Sequence, residues 1–238
     1  MVLVERSHPA PKSLAIEARK QNGKYNKADV VERLRRDFHD KCYICELKGL
    51  QDPEVEHLVP HENGRYHARK FDWNNLFWSC GHCNSVKSKA VYSEGVLDCC
   101  RQDPEQAIRF AIEGNNVNIT AFDPGDSEAM KTAQLATAVY TQNNTGIRTV
   151  ACKLRMDGLW LQMRILYSSL RKYRKNPTRL HRRTVEALLA RESAFAAFKR
   201  CYVREHLAEY PDLVELVALE TVNGDAAQCD AVSASNPK

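Results

Sequence analysis

Two short cysteine pairs decide the fold of this chain: Cys42-Tyr43-Ile44-Cys45 and, after residues 46–79, Cys80-Gly81-His82-Cys83. The two thiolates of a C-x2-C turn can both reach about 2.3 Å from one Zn²⁺, and two such turns complete a tetrahedral site. Because protein then occupies every coordination position, the pattern predicts a structural zinc ion. The alternative, four chance thiols in a reduced core, leaves the repeated spacing unexplained.

The rest of the composition predicts a cytoplasmic protein. Residues 1–6 lack the long apolar region of a secretory signal, and no apolar run of about 18 residues predicts a membrane span. Cytoplasm is reducing, so the cysteines are expected to be ligands or buried thiols. The cysteines outside the two pairs are interpreted as small hydrophobic residues: Cys99, Cys100, Cys152, Cys201 and Cys229.

Three further motifs lie between and after the cysteine pairs. They read Val55-Glu56-His57-Leu58-Val59-Pro60, Trp73-Asn74-Asn75-Leu76-Phe77 and Asn84-Ser85-Val86-Lys87. With the cysteines, they resemble the cysteine-containing branch of the HNH endonucleases, whose pattern runs C-x2-C, acid-His-x-x-Pro, Asn-Leu, C-x2-C-[His/Asn]-x-x-Lys. The resemblance implies an α+β fold: a ββα-metal (HNH) nuclease core with a structural four-cysteine zinc site, followed by a mainly helical C-terminal domain.

The resemblance also implies a role for each motif residue. Glu56 and Asn84 are expected to bind a catalytic Mg²⁺ or Mn²⁺, with His57 as the general base. Asn75 is expected to orient His57, and Lys87 to lie beside the substrate phosphate. The chain departs from the family at one position, because Glu56 stands where Asp is commoner and its extra methylene shifts the carboxylate.

The chemistry of these residue types agrees with phosphodiester hydrolysis. That reaction needs an activated water and a cation that neutralises charge developing on the phosphate. Histidine titrates near neutrality and can take the proton of the water, while hard oxygen ligands select Mg²⁺ or Mn²⁺. Neighbours on a strand face opposite ways, so Glu56 can hold metal while His57 meets water.

Taken singly, each motif residue has a plainer interpretation. An isolated histidine is more often a core residue, asparagines are commonly turn or cap residues, and a lone lysine is ordinary surface. Their combination with the paired cysteines favours the functional interpretation. His61, His67 and His82 rank below His57 because none follows an acid, although His61 is close enough in sequence to assist.

Further stretches narrow the resemblance. Arg35-Arg36-Asp37-Phe38, Gly95-Val96-Leu97-Asp98 and the segment 194–200 are similar to the PtuB-type HNH endonucleases of Septu anti-phage systems, including those encoded with retrons. This implies a PtuA-like ATPase partner of the ABC or SMC type and, in retron versions, a reverse transcriptase with its DNA–RNA product. The nucleic-acid substrate stays open between DNA and tRNA, because HNH chemistry needs no 2′-hydroxyl.

One rival function belongs to a different class. The four cysteines fit a non-catalytic zinc module that binds nucleic acid or protein equally well. Such a module has no need of Glu56, His57, Asn75, Asn84 and Lys87, so these residues discriminate between the two functions.

Periodicity and turn residues divide the chain into five segments. Residues 1–27 predict a loosely structured extension, 28–98 the nuclease core and 99–126 an acidic hairpin and linker. Residues 127–220 predict a helical partner-binding domain, and 221–238 a disordered tail.

Three helices are expected in the helical domain. Ser127 is the expected N-cap of the first. The second buries Leu159, Met163, Leu166 and Leu170. The third starts after Pro177, carries Val185, Leu188, Phe195 and Phe198, and ends before Pro211.

Charge is unevenly distributed. The net charge is +5, and residues 164–204 hold twelve basic residues against Glu186 and Glu192. This basic region has three interpretations: a track for a phosphate backbone, a dock for an acidic partner surface, or the solvated face of amphipathic helices.

Overall fold

The structure, a computed structural model, describes residues 1–142 and 145–219. It is an α+β fold with two small antiparallel sheets and a helical C-terminal part. The first half contains α1 (Lys12–Glu17), α2 (Ala28–Asp37), β1 (Pro53–His57), α3 (His67–Phe71), β2 (Leu76–Cys80) and α4 (Gly81–Lys87). The second half contains α5 (Pro104–Ala107), β3 (Ile108–Glu113), β4 (Asn116–Ala121), α6 (Ser127–Thr141), α7 (Gly146–Lys175), α8 (Arg179–Leu189) and α9 (Ala196–Glu205).

A strand–strand–helix unit forms the centre of the first half. β1 and β2 pair antiparallel, with Glu56 opposite Phe77 and His57 opposite Leu76. β2 runs directly into α4, so the second cysteine pair spans the strand–helix junction. Along β1 burial alternates at the end of the strand, where Glu56 is buried and His57 half-buried.

Two predicted elements are confirmed. The hairpin forms from β3 and β4 at the predicted place. α7 buries the four residues predicted for the long helix: Leu159, Met163, Leu166 and Leu170.

The expectation of a loosely structured N-terminal extension is wrong for much of residues 1–27. Met1, Val2, Val4 and Leu14 are buried in the core. The Val4 amide donates a hydrogen bond to the Cys99 carbonyl at 2.8 Å. This segment lies against the core largely without regular secondary structure, so it has no periodicity that the sequence could reveal.

The third predicted helix is two helices, α8 and α9. They are separated at Phe195, which has a left-handed backbone (φ 53°) and donates its amide to the Glu46 carbonyl at 3.2 Å. A contact with a residue so distant in sequence leaves no local signal. The cap of α6 also shifts by one residue, since the Asp126 carboxylate, and not Ser127, accepts from the Ala129 amide at 2.9 Å.

The two halves share one core. Buried apolar residues from both sides of residue 126 form a single cluster. The Tyr140 hydroxyl donates to the Cys45 carbonyl at 2.9 Å, and the Ala197 amide donates to Glu46 Oε2 at 2.9 Å. Residues on both sides of the expected boundary near residue 126 therefore belong to one hydrophobic core. The expected tail, 221–238, lies outside the described residues.

None of the helices in the described ranges has both the length and the apolar character that crossing a membrane requires.

Candidate functional site

The four paired cysteines come together in the interior. The Sγ atoms of Cys42, Cys45, Cys80 and Cys83 all lie within 4.8 Å of one another, and all four residues are buried. The first pair lies in the turn after α2, which a bridge between Lys41 and Lys48 closes, and the second lies at the β2–α4 junction. Four converging sulfur donors suit a tetrahedral ion. The chain therefore has a buried four-cysteine group that could hold a structural metal such as zinc.

A second cluster lines a cleft of about 300 Å³ between the end of β1, α4 and the loop after β1. Four of the five residues predicted for catalysis line it: Glu56, His57, Asn84 and Lys87. The other lining residues are Tyr25, Val55, Pro60, His61, Glu62, Asn63, Ser88 and Ser93. Asn75 is not among the lining residues.

His57 is held in one tautomer. Its Nε2 lies 3.1 Å from the carbonyl oxygen of Lys70. A carbonyl only accepts, so Nε2 carries the proton and Nδ1 keeps its lone pair. Burial lowers the pKa of His57 to about 4, so the ring is neutral at pH 7. A neutral imidazole with a free Nδ1 lone pair is suited to accept a proton from water.

Glu56 faces the interior on the other side of β1. Its Oε1 lies 2.7 Å from Lys87 Nζ, and its Oε2 accepts from the Tyr43 hydroxyl at 2.6 Å. Burial raises the pKa of Glu56, and the Lys87 charge opposes that rise. Each carboxylate oxygen keeps a further lone pair that could bind a cation.

Lys87 is placed differently from the expectation. Its side chain is 2% exposed, and its Nζ donates to the carbonyls of His57 (3.1 Å) and Leu58 (2.8 Å) besides pairing with Glu56. These three partners use all three ammonium hydrogens. The Lys87 ammonium therefore points inward to the buried Glu56 carboxylate, and its role beside a phosphate stays a prediction.

Asn75 also differs from its expected role. Its Nδ2 donates to the carbonyls of Val59 (2.8 Å) and Arg69 (3.0 Å), and its Oδ1 accepts from the Val59 amide at 2.8 Å. These bonds pin both ends of the loop 59–69, next to the Lys70 carbonyl that holds His57. Asn75 therefore holds the loop beside His57 and makes no direct bond to the ring, and its role in orienting the histidine stays a prediction.

Glu54 is a site residue that the sequence reasoning missed. The Asn84 Nδ2 donates to Glu54 Oε2 at 2.5 Å. Within the described chain the Asn84 amide oxygen has no hydrogen-bond partner, which leaves it available as a ligand. Glu54 lies two residues before Glu56 on the same strand, so period-two spacing could have indicated it.

Tyr25 was not assigned to the site, and His61 was ranked below His57 as a residue that could assist it. Each ring centroid lies 4.5 Å from that of His57, in edge contact. His61 Nδ1 accepts from the Gly64 amide at 2.8 Å, so its Nε2 carries a proton and is a donor. Tyr25 comes from the segment that was expected to be loose, and nothing local in the sequence marks it.

Comparison with known proteins adds no assignment. The chain matches no family model, and no curated protein is significantly similar to it.

The basic region 164–204 is partly neutralised within the molecule. Arg191 pairs with Asp103, and Arg200 and Arg204 pair with Glu105. Arg174 and Arg182 pair with acids in the range 186–212, and Lys199 is buried. The remaining basic residues are exposed, and most lie near the α7–α8 turn: Arg164, Arg171, Lys172, Lys175, Arg179 and Arg183.

Proposed function

We propose that this protein is a metal-dependent nuclease of the HNH type that hydrolyses phosphodiester bonds in nucleic acid. The observation that carries the proposal is the cleft itself, which His57, with its proton-free Nδ1, lines together with the carboxylate Glu56 and the amide Asn84. The strand–strand–helix unit and the adjacent four-cysteine group support it.

The residues divide the work as follows. His57 Nδ1 accepts the proton of a water whose oxygen attacks phosphorus, while the bond from phosphorus to the leaving oxygen breaks. Asn84 and Glu56, with Glu54 beside them, would hold Mg²⁺ or Mn²⁺, which supplies charge neutralisation at the phosphate when bound. The Nε2–H of His61, whose ring contacts His57, would donate to a phosphate oxygen.

The protein is further proposed to act with a partner, a PtuA-like ATPase, in anti-phage defence. An exposed apolar stripe on α7 supports docking; it consists of Ile147, Val150, Leu154, Leu161 and Ile165. Helical spacing places these residues along one face, about 27 Å from end to end. The exposed cations near the α7–α8 turn supply the charge that an acidic partner surface or nucleic acid would meet.

The test is cleavage by the full chain, alone and with the ATPase, in Mg²⁺ on plasmid, phage DNA and total tRNA. We expect His57→Ala to lower the rate at least about a hundredfold, as loss of a general base does. His67→Ala is the matched control, because His67 is exposed and does not line the cleft. Wild-type cleavage by His57→Ala would exclude this site, and vigorous cleavage by the lone chain would exclude control by the partner.

A second function is favoured by one observation. Glu56 and Lys87 satisfy each other in a buried ion pair, so part of the motif has a structural explanation. That fits a non-catalytic module that binds nucleic acid or protein around its metal. Tight nucleic-acid binding without turnover in Mg²⁺ or Mn²⁺ by the assembled complex would favour this second function.

A further inference from the structure

A buried guanidinium without a carboxylate lies beside the four-cysteine group. Arg155, on α7, is 6% exposed. Its Nη2 donates to Cys80 Sγ at 2.9 Å, and its Nη1 donates to the Ala151 carbonyl at 2.7 Å in the same helix. Within the described ranges, Nε has no hydrogen-bond partner and no acid pairs with this side chain. A buried cation is costly unless an anion compensates it.

The sulfur cluster is the anion that this geometry provides. Four thiolates around one divalent zinc carry a net charge of about −2. The four sulfurs are themselves buried, so water compensates little of that charge. The guanidinium would therefore match a loaded site, whereas four neutral thiols would leave its charge unbalanced. This is an argument for metal that is independent of the cysteine spacing.

We propose that Arg155 is a positioning residue of the zinc centre, which compensates the charge of the four thiolates through Cys80 and couples zinc retention to the packing of α7. Cys80 is the last residue of β2, in the first half of the chain. Arg155, which contacts it from α7, follows 75 residues later. The contact thus joins the two halves at the metal.

Neighbouring contacts reinforce this coupling. His82, between the cysteines of the second pair, lies with its Nε2 3.0 Å from the Val139 carbonyl of α6. One turn before Arg155, the Cys152 thiol donates to the Gln142 carbonyl at 3.0 Å and lies 3.9 Å from His82 Nε2. The end of α6 and the first turns of α7 therefore both lie against the second cysteine turn.

The test measures zinc retention, with no need of nuclease activity. Full-length wild type, Arg155→Met and Arg155→Lys are loaded with zinc, and transfer to a chromophoric chelator is followed. Residues that support metal ligands typically contribute a factor of about 10–100 in metal affinity. We expect Arg155→Met to release zinc at least about tenfold faster, with Arg155→Lys between it and wild type. Lys153→Met, an exposed cation on the same helix, should release zinc at the wild-type rate.

Cobalt substitution separates this role from simple packing. Loss of the N–H···S bond should shift the sulfur-to-cobalt charge-transfer band in Arg155→Met, and its altered geometry should shift the band less in Arg155→Lys, whose ammonium can still donate to sulfur. Loss of packing alone lowers stability without moving that band. If Arg155→Met fails to fold, the band of Arg155→Lys decides. Equal zinc release with unshifted bands, or wild-type protein that contains no zinc when purified without chelator, would overturn the proposal.

Discussion

At the scale of single residues, the candidate site depends on a buried ion pair. Glu56 and Lys87 are both buried and lie 2.7 Å apart. The same lysine holds the carbonyls of His57 and Leu58, so it fixes the backbone at the end of β1. The pair therefore supports the backbone that lines the cleft. Its contribution can be measured as a change in the free energy of unfolding.

Lys87→Met should destabilise the protein, because it leaves the Glu56 carboxylate buried without a cation. Removal of one partner from such a pair costs about 3–5 kcal/mol. Urea unfolding measures this loss, with Lys89→Met as the control in the adjoining, less buried position. If Lys87→Met left the free energy of unfolding unchanged but abolished cleavage, Lys87 would instead act on the substrate phosphate.

Lys199 gives a pH-dependent prediction. It is fully buried, its Nζ has no hydrogen-bond partner among the residues that the structure describes, and burial lowers its pKa from 10.5 to about 8. Because the folded pKa lies below the unfolded pKa, the ammonium costs stability below pH 8. That cost is relieved as pH rises from about 8 to 10.5.

Lys199→Met should therefore raise the free energy of unfolding at pH 7, by at most about 3 kcal/mol on the scale of 1.36 kcal/mol per pKa unit. The gain should shrink as the pH approaches 10. Denaturant unfolding of wild type and variant at several pH values measures it. A gain that is independent of pH would show that packing, and not the charge, is responsible.

At the scale of elements, α7 has a buried face and an exposed apolar face. Its buried face carries the predicted core residues and Arg155, while its opposite face exposes the apolar stripe defined above. Exposed apolar surface of this extent is commonly covered by a partner. The buried face supports the fold and the exposed stripe is the proposed docking surface, so the two faces can be tested independently.

Leu154→Glu and Leu161→Glu should leave the fold intact and weaken binding of the proposed ATPase partner at least about tenfold, because each places a charge in the proposed apolar interface. Val214→Glu, which changes an exposed apolar residue elsewhere, is the control. Affinity is measured by titration of labelled protein with the ATPase. If all three variants assembled as wild type does, the stripe would not be the docking surface.

Charge reversal of the exposed cations Arg171, Lys172 and Lys175 should weaken assembly or nucleic-acid binding and flatten its salt dependence. The same titration, repeated over a range of salt concentrations, measures this. Variants with wild-type affinity and salt dependence would assign these residues to the solvated face of α7.

At the scale of the whole molecule, the shared core makes one prediction about metal removal. Chelation of zinc should unfold both halves in one transition, since structural zinc sites contribute about 10 kcal/mol or more in small domains. In circular dichroism, the far-UV signal of the helices and the near-UV signal of the aromatic residues should be lost together. A helical half that stayed folded without zinc would show that the halves are independent.

The sequence alone determined the elements whose cause is local. Paired cysteines, a turn between two apolar runs and a helical stripe on α7 each depend on neighbours within a few residues, so spacing predicts them. It also predicted which motif residues gather: Glu56, His57, Asn84 and Lys87 do line one cleft.

Only the tertiary structure decided how those residues are used. The inward position of Lys87, the loop held by Asn75, the break at Phe195 and the approach of Arg155 to Cys80 all come from contacts between parts of the chain distant in sequence. Such contacts follow from how buried charges and backbone groups find partners once the chain is packed. These hydrogen bonds and ion pairs leave no periodic pattern in the sequence, because burial and not local conformation causes them.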